Sequence, residues 1–323
     1  MRYLAKLAST VIAAITGFFA ACPVAAADFP DRPVRIIVPY SVGTATEAAA
    51  RQLGDRLAKV WHQGVVVEAI PGAGGIVGTQ AIAKAAPDGY TLGIVAGAHA
   101  ANPALGPVPY DPLKDFTPVM NIAYTSLVLV VNPNLPYRTA RELVAAAKAK
   151  PKSITYGTGG TGSAPHMAME DFMSRAGIDM THVPYKSLGQ LTTDLLGGQI
   201  DASMQAVNTF LPQIQAGKVR ALGVTGPSSF PLLPDVPPLK DAVPGYVSQI
   251  WIGMIAPAGV PDAVVRRIFA DASAILKTEE MKQALIGQGI EVDVQPADAF
   301  WKQVAADIEK WSVVAKRAGI SGR

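Results

Sequence analysis

Cysteine is all but missing from this sequence, since Cys22 is the single one in 323 residues. It lies in an amino-terminal segment that carries Arg2 and Lys6, the apolar run Leu7 to Ala20 and then Ala25-Ala26-Ala27, the layout of a secretory signal cut after Ala27. A chain released by that cut has no cysteine, so no disulfide framework can hold it and stability must come from packing. Anchoring through a lipidated Cys22 is the rival reading, but Phe19-Ala20-Ala21 before it and Pro23 after it make a poor lipidation signal. Long hydrophobic runs are lacking as well: the first is too short to span a bilayer, and no later stretch reaches the ~20 apolar residues of a membrane helix. A soluble periplasmic protein is therefore expected. Charge of one sign is also lacking. Without Arg2 and Lys6 the 28 basic residues fall to 26, against 25 acidic ones, which gives no electrostatic case for a nucleic-acid partner.

Metal and cofactor chemistry has little to stand on. His62, His99, His166 and His182 are scattered, with no H-E-x-x-H spacing and no cysteine partner, so neither a metal nor a cofactor is expected.

What is present is apolar residue, half of the chain, in alternating patterns. Short apolar stretches such as Val34 to Val38, Val65 to Ala69 and Thr91 to Val95 read as strands, and Ala-rich stretches such as Glu47 to Val60 and Ile76 to Ala85 as helices. Alternation of this kind predicts an α/β fold of mainly parallel sheets flanked by helices. After a Pro-punctuated segment from Pro103 to Pro118, the dense run Leu127 to Val131 opens a second set, and Thr139 to Glu142 spells a capping box. Strands follow at Ile154 to Tyr156, His182 to Tyr185, Ala202 to Met204 and Ala221 to Val224, with helices between them. Pro227 to Pro244 reads as a surface loop, Gln249 to Ala256 as a strand, and Pro261 onward, Thr278 to Ile286 and Ala297 to Ala318 as helices. A chain this long exceeds the ~250 to 300 residues at which one core stops growing. Two lobes are expected, 28–125 with 250–323 and, between them, 126–249, joined by two crossings that make a hinge.

Three junctions from strand to helix are rich in Gly, Ser and Thr: Pro39 to Thr44, Pro71 to Gly75 and Tyr156 to Ser163. Such loops bring backbone amides close to a ligand, and helix amino termini aim unpaired N–H groups at it, which suits a carboxylate or phosphate. The same glycines could serve only tight turns and helix packing. Gly157 to Gly162 matches G-x-G-x-x-G, but Tyr185-Lys186 stand where a dinucleotide site wants an acid, and no P-loop lysine is present. Ser163 lacks the nucleophile-elbow glycine. His166, three residues on, leaves an exported hydrolase as a weaker alternative.

The order of these motifs resembles the Bug or TctC-type extracytoplasmic receptors of tripartite tricarboxylate transporters. The likeness rests on Asp31 to Pro39, Pro71-Gly72-Ala73-Gly74-Gly75, Pro87-Asp88-Gly89-Tyr90-Thr91-Leu92, Asn102-Pro103-Ala104-Leu105 and Pro109-Tyr110-Asp111-Pro112. It continues in Asp115-Phe116-Thr117-Pro118, Tyr156-Gly157-Thr158-Gly159, His182-Val183-Pro184-Tyr185-Lys186, Asp194-Leu195-Leu196-Gly197-Gly198 and Ala256-Pro257-Ala258-Gly259. The resemblance implies a two-lobed, type II-like periplasmic-binding-protein fold with a small carboxylate in the interlobe cleft and delivery to the membrane permease of such a transporter. A monomer that does no chemistry is expected, with presentation to a signalling system as an alternative. It also implies a ligand held by loop amides and hydroxyls: Ser41, Val42, Gly43 and Thr44, then Gly74 and Gly75, with Gly160, Thr161, Ser163 and Ala164 as a carboxylate clamp. Lys186, Ser187, Asp201 and the Gly97-Ala98-His99 turn are further candidates. Tyr40, Thr44, Glu47 and Ser187 depart from the family pattern, where ligand choice should be made.

Overall fold

A computed structural model describes residues 29–317 and 319–320. The secretory signal, its Ala27 cut and Cys22 lie outside the described residues. The chain opens with β1 (Val34–Val38), α1 (Ala45–Trp61), β2 (Val65–Ala69), α2 (Ile76–Ala83), β3 (Thr91–Ala96) and α3 (Ala98–Leu105). Next come β4 (Phe116–Val131), α4 (Ala140–Ala149), β5 (Thr155–Thr158), α5 (Ala164–Ala176), β6 (Thr181–Pro184), α6 (Leu188–Leu196), β7 (Ala202–Ala206), α7 (Val207–Gln215) and β8 (Arg220–Val224). β9 (Gln249–Pro257), α8 (Asp262–Leu276), α9 (Glu279–Ile286), β10 (Ile290–Pro296) and α10 (Ala297–Arg317) complete it.

Local chemistry explains several boundaries. Thr44, Thr139, Ser163 and Thr278 each precede a helix in extended backbone, and the side-chain oxygen of each accepts the amide three residues on. At α4 the Thr139 half of the expected box forms, and the Glu142 carboxylate reaches back past the cap to accept the Arg138 amide at 2.6 Å. α5 stops at Gly177, whose φ of 62° continues no right-handed helix.

The expected mainly parallel sheets are mixed. β2-β1-β3 and β7-β5-β6 pair in parallel, whereas β9 is antiparallel to β3 and β4, and β4 is antiparallel to β7, β8 and β10. The βαβ reading holds at the outer strands, where helical crossovers return the chain in the same direction. It fails at the middle because β4 passes through both halves.

That strand is also longer than the expected Leu127 to Val131. Residues Phe116–Ser126 pair with β9, and Leu127–Val131 pair with β7. Its first part reads as poor strand because Asn121, Tyr124 and Thr125 interrupt the apolar pattern. Their donors find partners across the sheet: Asn121 Nδ2 donates to the Asp293 carbonyl at 2.8 Å and Thr125 Oγ1 to that of Gly289 at 3.1 Å. β10, absent from the sequence expectation, and Gly289 just before it supply these partners. Likewise Gly97-Ala98-His99 is not a free turn but the start of α3, which tolerates Pro103 inside it.

Two apolar clusters flank the first half of the sheet, around Ile36, Leu53 and Met254 and around Val95, Trp251 and Phe300. Two more flank the second half, around Leu129, Phe172 and Tyr246 and around Val130, Leu191 and Phe210. The halves meet along β4, where Ser126 stands opposite Gln249, and again where α10 lies on α5. There Lys310 Nζ reaches Asp171 Oδ2 at 3.2 Å and Arg317 donates to Ser174 Oγ at 3.4 Å. No helix among the described residues is long and apolar enough to cross a membrane.

Candidate ligand-binding cleft

The carboxyl ends of β1, β2 and β3 carry the first two glycine loops and the start of α3, and the carboxyl ends of β5 and β6 carry the third loop and Tyr185 to Ser187. This is where open α/β sheets form ligand crevices. Two adjoining chambers lie between the halves. The outer one, about 460 Å³, is bounded by Ala73, Gly74 and Ile76, by α3 from Ala98 to Leu105, and by Thr161 to Ala164. The inner one, about 40 Å³, runs on from α3 and α5 to Ser248 through Trp251 and to Asp307 and Trp311 of α10. Ala98, Asn102, Gly162 and Ala164 border both chambers. The outer volume falls within the ~300 to 1,000 Å³ of small-molecule sites, and the inner chamber is a narrow recess leading on from it.

The third loop is shaped to expose its main chain. Gly162 has φ +78°, and a Cβ there would stand 3.3 Å from Leu105 of α3, so glycine alone brings the loop this close to the opposite half. Part of the loop is committed internally: the Gly162 amide donates to His166 Nδ1 at 2.9 Å, the His166 amide to Ser163 Oγ at 3.4 Å, and the Ser163 amide to the Gly160 carbonyl at 3.3 Å. Among the described residues, no hydrogen bond uses the amides of Gly160, Thr161 or Ala164. Thr161 and Ala164 border the outer chamber and Ala164 both, so donors at the start of α5 face solvent-sized space.

Beneath this loop His166 and His182 stack at 3.9 Å, with Tyr156 against the pair. Thr158 Oγ1 meets His182 Nε2 at 2.7 Å, and Glu170 lies 3.4 Å from His166 Nε2 and accepts the Tyr156 hydroxyl at 2.6 Å. Burial, reinforced by the neighbouring His166, lowers His182 to about 4. Glu170 is pushed up by burial but more strongly down by the hydrogen bonds from His166 and Tyr156, and ends below the usual carboxylate range. Both His166 nitrogens are therefore engaged away from Ser163 Oγ, and the two do not form a nucleophile and base pair.

The sequence candidates divide. Gly74, Gly97, Thr161, Ser163 and Ala164 border the chambers. Ser41, Val42, Gly43 and Thr44 border neither: Val42 is 70% exposed, and the Gly43 amide donates to Glu47 Oε2 at 3.2 Å. Glu47, itself buried, also pairs with Arg51. Gly75 is packed on Tyr40, whose hydroxyl accepts the Ala96 amide at 3.0 Å. Gly160 lies on the same loop as Thr161 but outside both linings, and Lys186 and Ser187 are exposed beside it, with Leu188 3.5 Å from where a Gly159 Cβ would stand.

Two candidates are turned to structural use. His99 points into the core, its Nε2 2.8 Å from the Pro112 carbonyl and its ring stacked on Tyr110, and burial lowers it to about 4. Asp201 Oδ2 accepts both the amide and the hydroxyl of Thr155, at 2.8 and 2.9 Å, which ties β7 to β5. An acid after a Gly-Gly turn and a His after a Gly look the same in sequence whether they face a cleft or a core. Missed altogether were Asn102, Leu105, Met167, Gln249, Asp307 and Trp311, which sit on α3, α5, β9 and α10 rather than on glycine loops. Asn102 Nδ2 donates to the Gly74 carbonyl at 3.1 Å and so joins α3 to the second loop.

The chain has clear relatives. The sequence model of the TctC family, described as the tripartite tricarboxylate transporter family receptor, matches residues 49–320. Protein BugT of Bordetella pertussis is 32% identical over 96% of this chain and 98% of its own length. Among solved structures, the periplasmic binding protein BugD is 30% identical and superposes with a TM-score of 0.74 over 91% of this chain and 100% of that one. An R. palustris protein solved with adipate is 31% identical, with a TM-score of 0.78 over 91% of this chain and 100% of that one. With these matches spanning the fold and the chambers alike, the chain belongs to the TctC family of tripartite tricarboxylate transporter receptors.

Proposed function

We propose that this chain is a periplasmic receptor that captures a small carboxylate by closing two lobes on it, and that it delivers the ligand to the permease of a tripartite tricarboxylate transporter. The lobes are 28–125 with 250–323 and 126–249, with the hinge where β4 passes Ser126 and β9 begins at Gln249. The observation that carries this reading is the set of uncommitted amides at Thr161 and Ala164, set against α3 across a chamber between the two halves. Backbone donors at a helix amino terminus supply fixed partial positive charge without a cationic side chain, which fits a receptor of nearly balanced charge. The adipate-bound neighbour supports the ligand class. Closure would carry the exposed loops at Ser41 to Thr44 and at Lys186-Ser187 toward the ligand. The protein acts as a monomer and does no chemistry on its cargo; the engagement of His166 away from Ser163 supports this.

The test is thermal unfolding of ligand-free, refolded protein against a broad panel of mono-, di- and tricarboxylates. A cognate acid raises the midpoint with concentration, because a ligand that binds only the folded form stabilises it by mass action. A panel with no response at any concentration overturns the reading.

A further inference from the structure

We propose that Asp307 of α10 sets ligand choice by requiring a hydrogen-bond donor, a hydroxyl or an ammonium, at the end of the ligand far from its carboxylate. The inference rests on the receptor reading above and adds which carboxylates are taken. The two chambers join at Ala164, where the free amide lies, but Asp307 borders only the inner one. A ligand whose carboxylate sits at the start of α5 and whose body extends inward passes Ala101, Met167, Ile250 and Trp311, an apolar stretch suited to a methylene spacer. It then meets the Asp307 carboxyl.

One oxygen of that carboxyl is occupied, since Oδ2 accepts the Trp251 indole N–H at 2.8 Å. Among the described residues no hydrogen bond uses Oδ1. The nearby cation is already engaged elsewhere. Lys310, one turn on, is held 3.2 Å from Asp171 and lies over the Trp311 ring at 4.5 Å. Burial raises Asp307 above the usual carboxylate range, while the Trp251 bond and the more distant Lys310 oppose the rise, which marks the carboxyl as poorly solvated and in want of a donor. A second carboxylate placed here would meet a like charge in a water-poor chamber. A terminal hydroxyl or ammonium would complete the carboxyl's hydrogen bonding.

The experiment measures binding by calorimetry for three matched series of about four to six carbons: dicarboxylates, ω-hydroxy acids and ω-amino acids, on the wild type and on Asp307→Asn. The asparagine keeps the shape and an acceptor for Trp251, and its ligand-free unfolding midpoint checks that the fold survives. The expected result is a hydroxy or amino acid bound roughly tenfold or more tighter than the dicarboxylate of equal length, a preference that collapses or reverses in Asp307→Asn. Dicarboxylates that bind the wild type equally well or better overturn the inference and leave the receptor reading standing. The same holds for a ranking unchanged in Asp307→Asn, as a merely structural acid would give. Failure of every acid in every series, with the broad panel also silent, overturns both.

Discussion

The loop after β1 and the loop after β5 look alike in sequence, each a short Gly, Ser and Thr run between a strand and a helix, and their internal hydrogen bonds match, yet they face different surroundings. In the first, Gly43 gives its amide to Glu47 of the helix that follows, and Val42 projects into solvent. In the second, Gly162 gives its amide to His166, and the amides of Thr161 and Ala164, uncommitted like those of Val42 and Ala45 in the first, lie beside the chambers. Glycine content alone does not mark a binding loop. Both loops tie a glycine amide to the third residue of the helix that follows, Glu47 in one case and His166 in the other, and what separates them is whether the amides left over border a chamber between the halves.

The comparison breaks most decisively at Ala164, which has the smallest side chain that keeps the α5 start open to both chambers. Ala164→Phe fills that junction from an early helical position, so the unfolding midpoint of the free protein should change little. Binding of the cognate carboxylate should weaken by roughly 100-fold or more, on the order of 3 kcal/mol. Val42→Phe in the first loop should leave binding within about threefold. Equal losses at the two positions would mean that the loops act alike.

Acid should act on the second loop and spare the first. His99 and His182 are each lowered to about 4 in the fold, against about 6.5 for an ordinary histidine, so the unfolded chain binds more protons between these values. Their contribution to stability is full above about pH 6.5, is lost as pH falls toward about 4, and changes no further below that. Urea unfolding at a series of pH values should show this slope. His182→Gln should flatten part of it, because only His182 belongs to the stack of His166, Glu170 and Tyr156 under the loop. An unchanged slope in that variant would put the acid sensitivity elsewhere.

Much of this architecture is legible in the residues themselves. Period and caps place the outer strands and nearly all the helices, and the three glycine loops do lie at the strand ends where the sequence puts them. β10 and the first part of β4 escape notice because each reads as too polar alone, and they become strands only by satisfying one another, as Asn121 does with the Asp293 carbonyl. The site was legible only in part for a related reason. Loop chemistry announces backbone donors, so Thr161 and Ala164 can be found, but the inner wall comes from side chains on α3, β9 and α10 that only the tertiary fold gathers. Asp307 is far in sequence from every other wall of the chamber except Trp311, and an acid on an amphipathic helix reads as solvated.

The first loop commits its glycine amide to a buried carboxylate, where the second uses an imidazole. Glu47 is buried, accepts the Gly43 amide and pairs with Arg51, so Glu47→Ala leaves that amide and a guanidinium without their partner. Denaturant unfolding should show a loss of about 1–3 kcal/mol, while carboxylate affinity changes little. A large loss of affinity with stability intact would show that this loop grips the ligand after all.

The smallest effect sharpens the comparison from the other side. Ser163 begins α5, and its hydroxyl accepts the His166 amide at 3.4 Å, a long bond, so the cap is weak to begin with. Ser163→Ala should cost about 0.5–1 kcal/mol of stability, at the low end of the range for N-caps. The Ala164 and Thr161 amides stay where they are, because Gly162 and His166 still fix the turn through their bond at 2.9 Å. Affinity should therefore fall by no more than the loss of one neutral hydroxyl contact, roughly threefold to tenfold. A loss nearer that of Ala164→Phe would place the hydroxyl, and not the main chain, at the centre of carboxylate recognition.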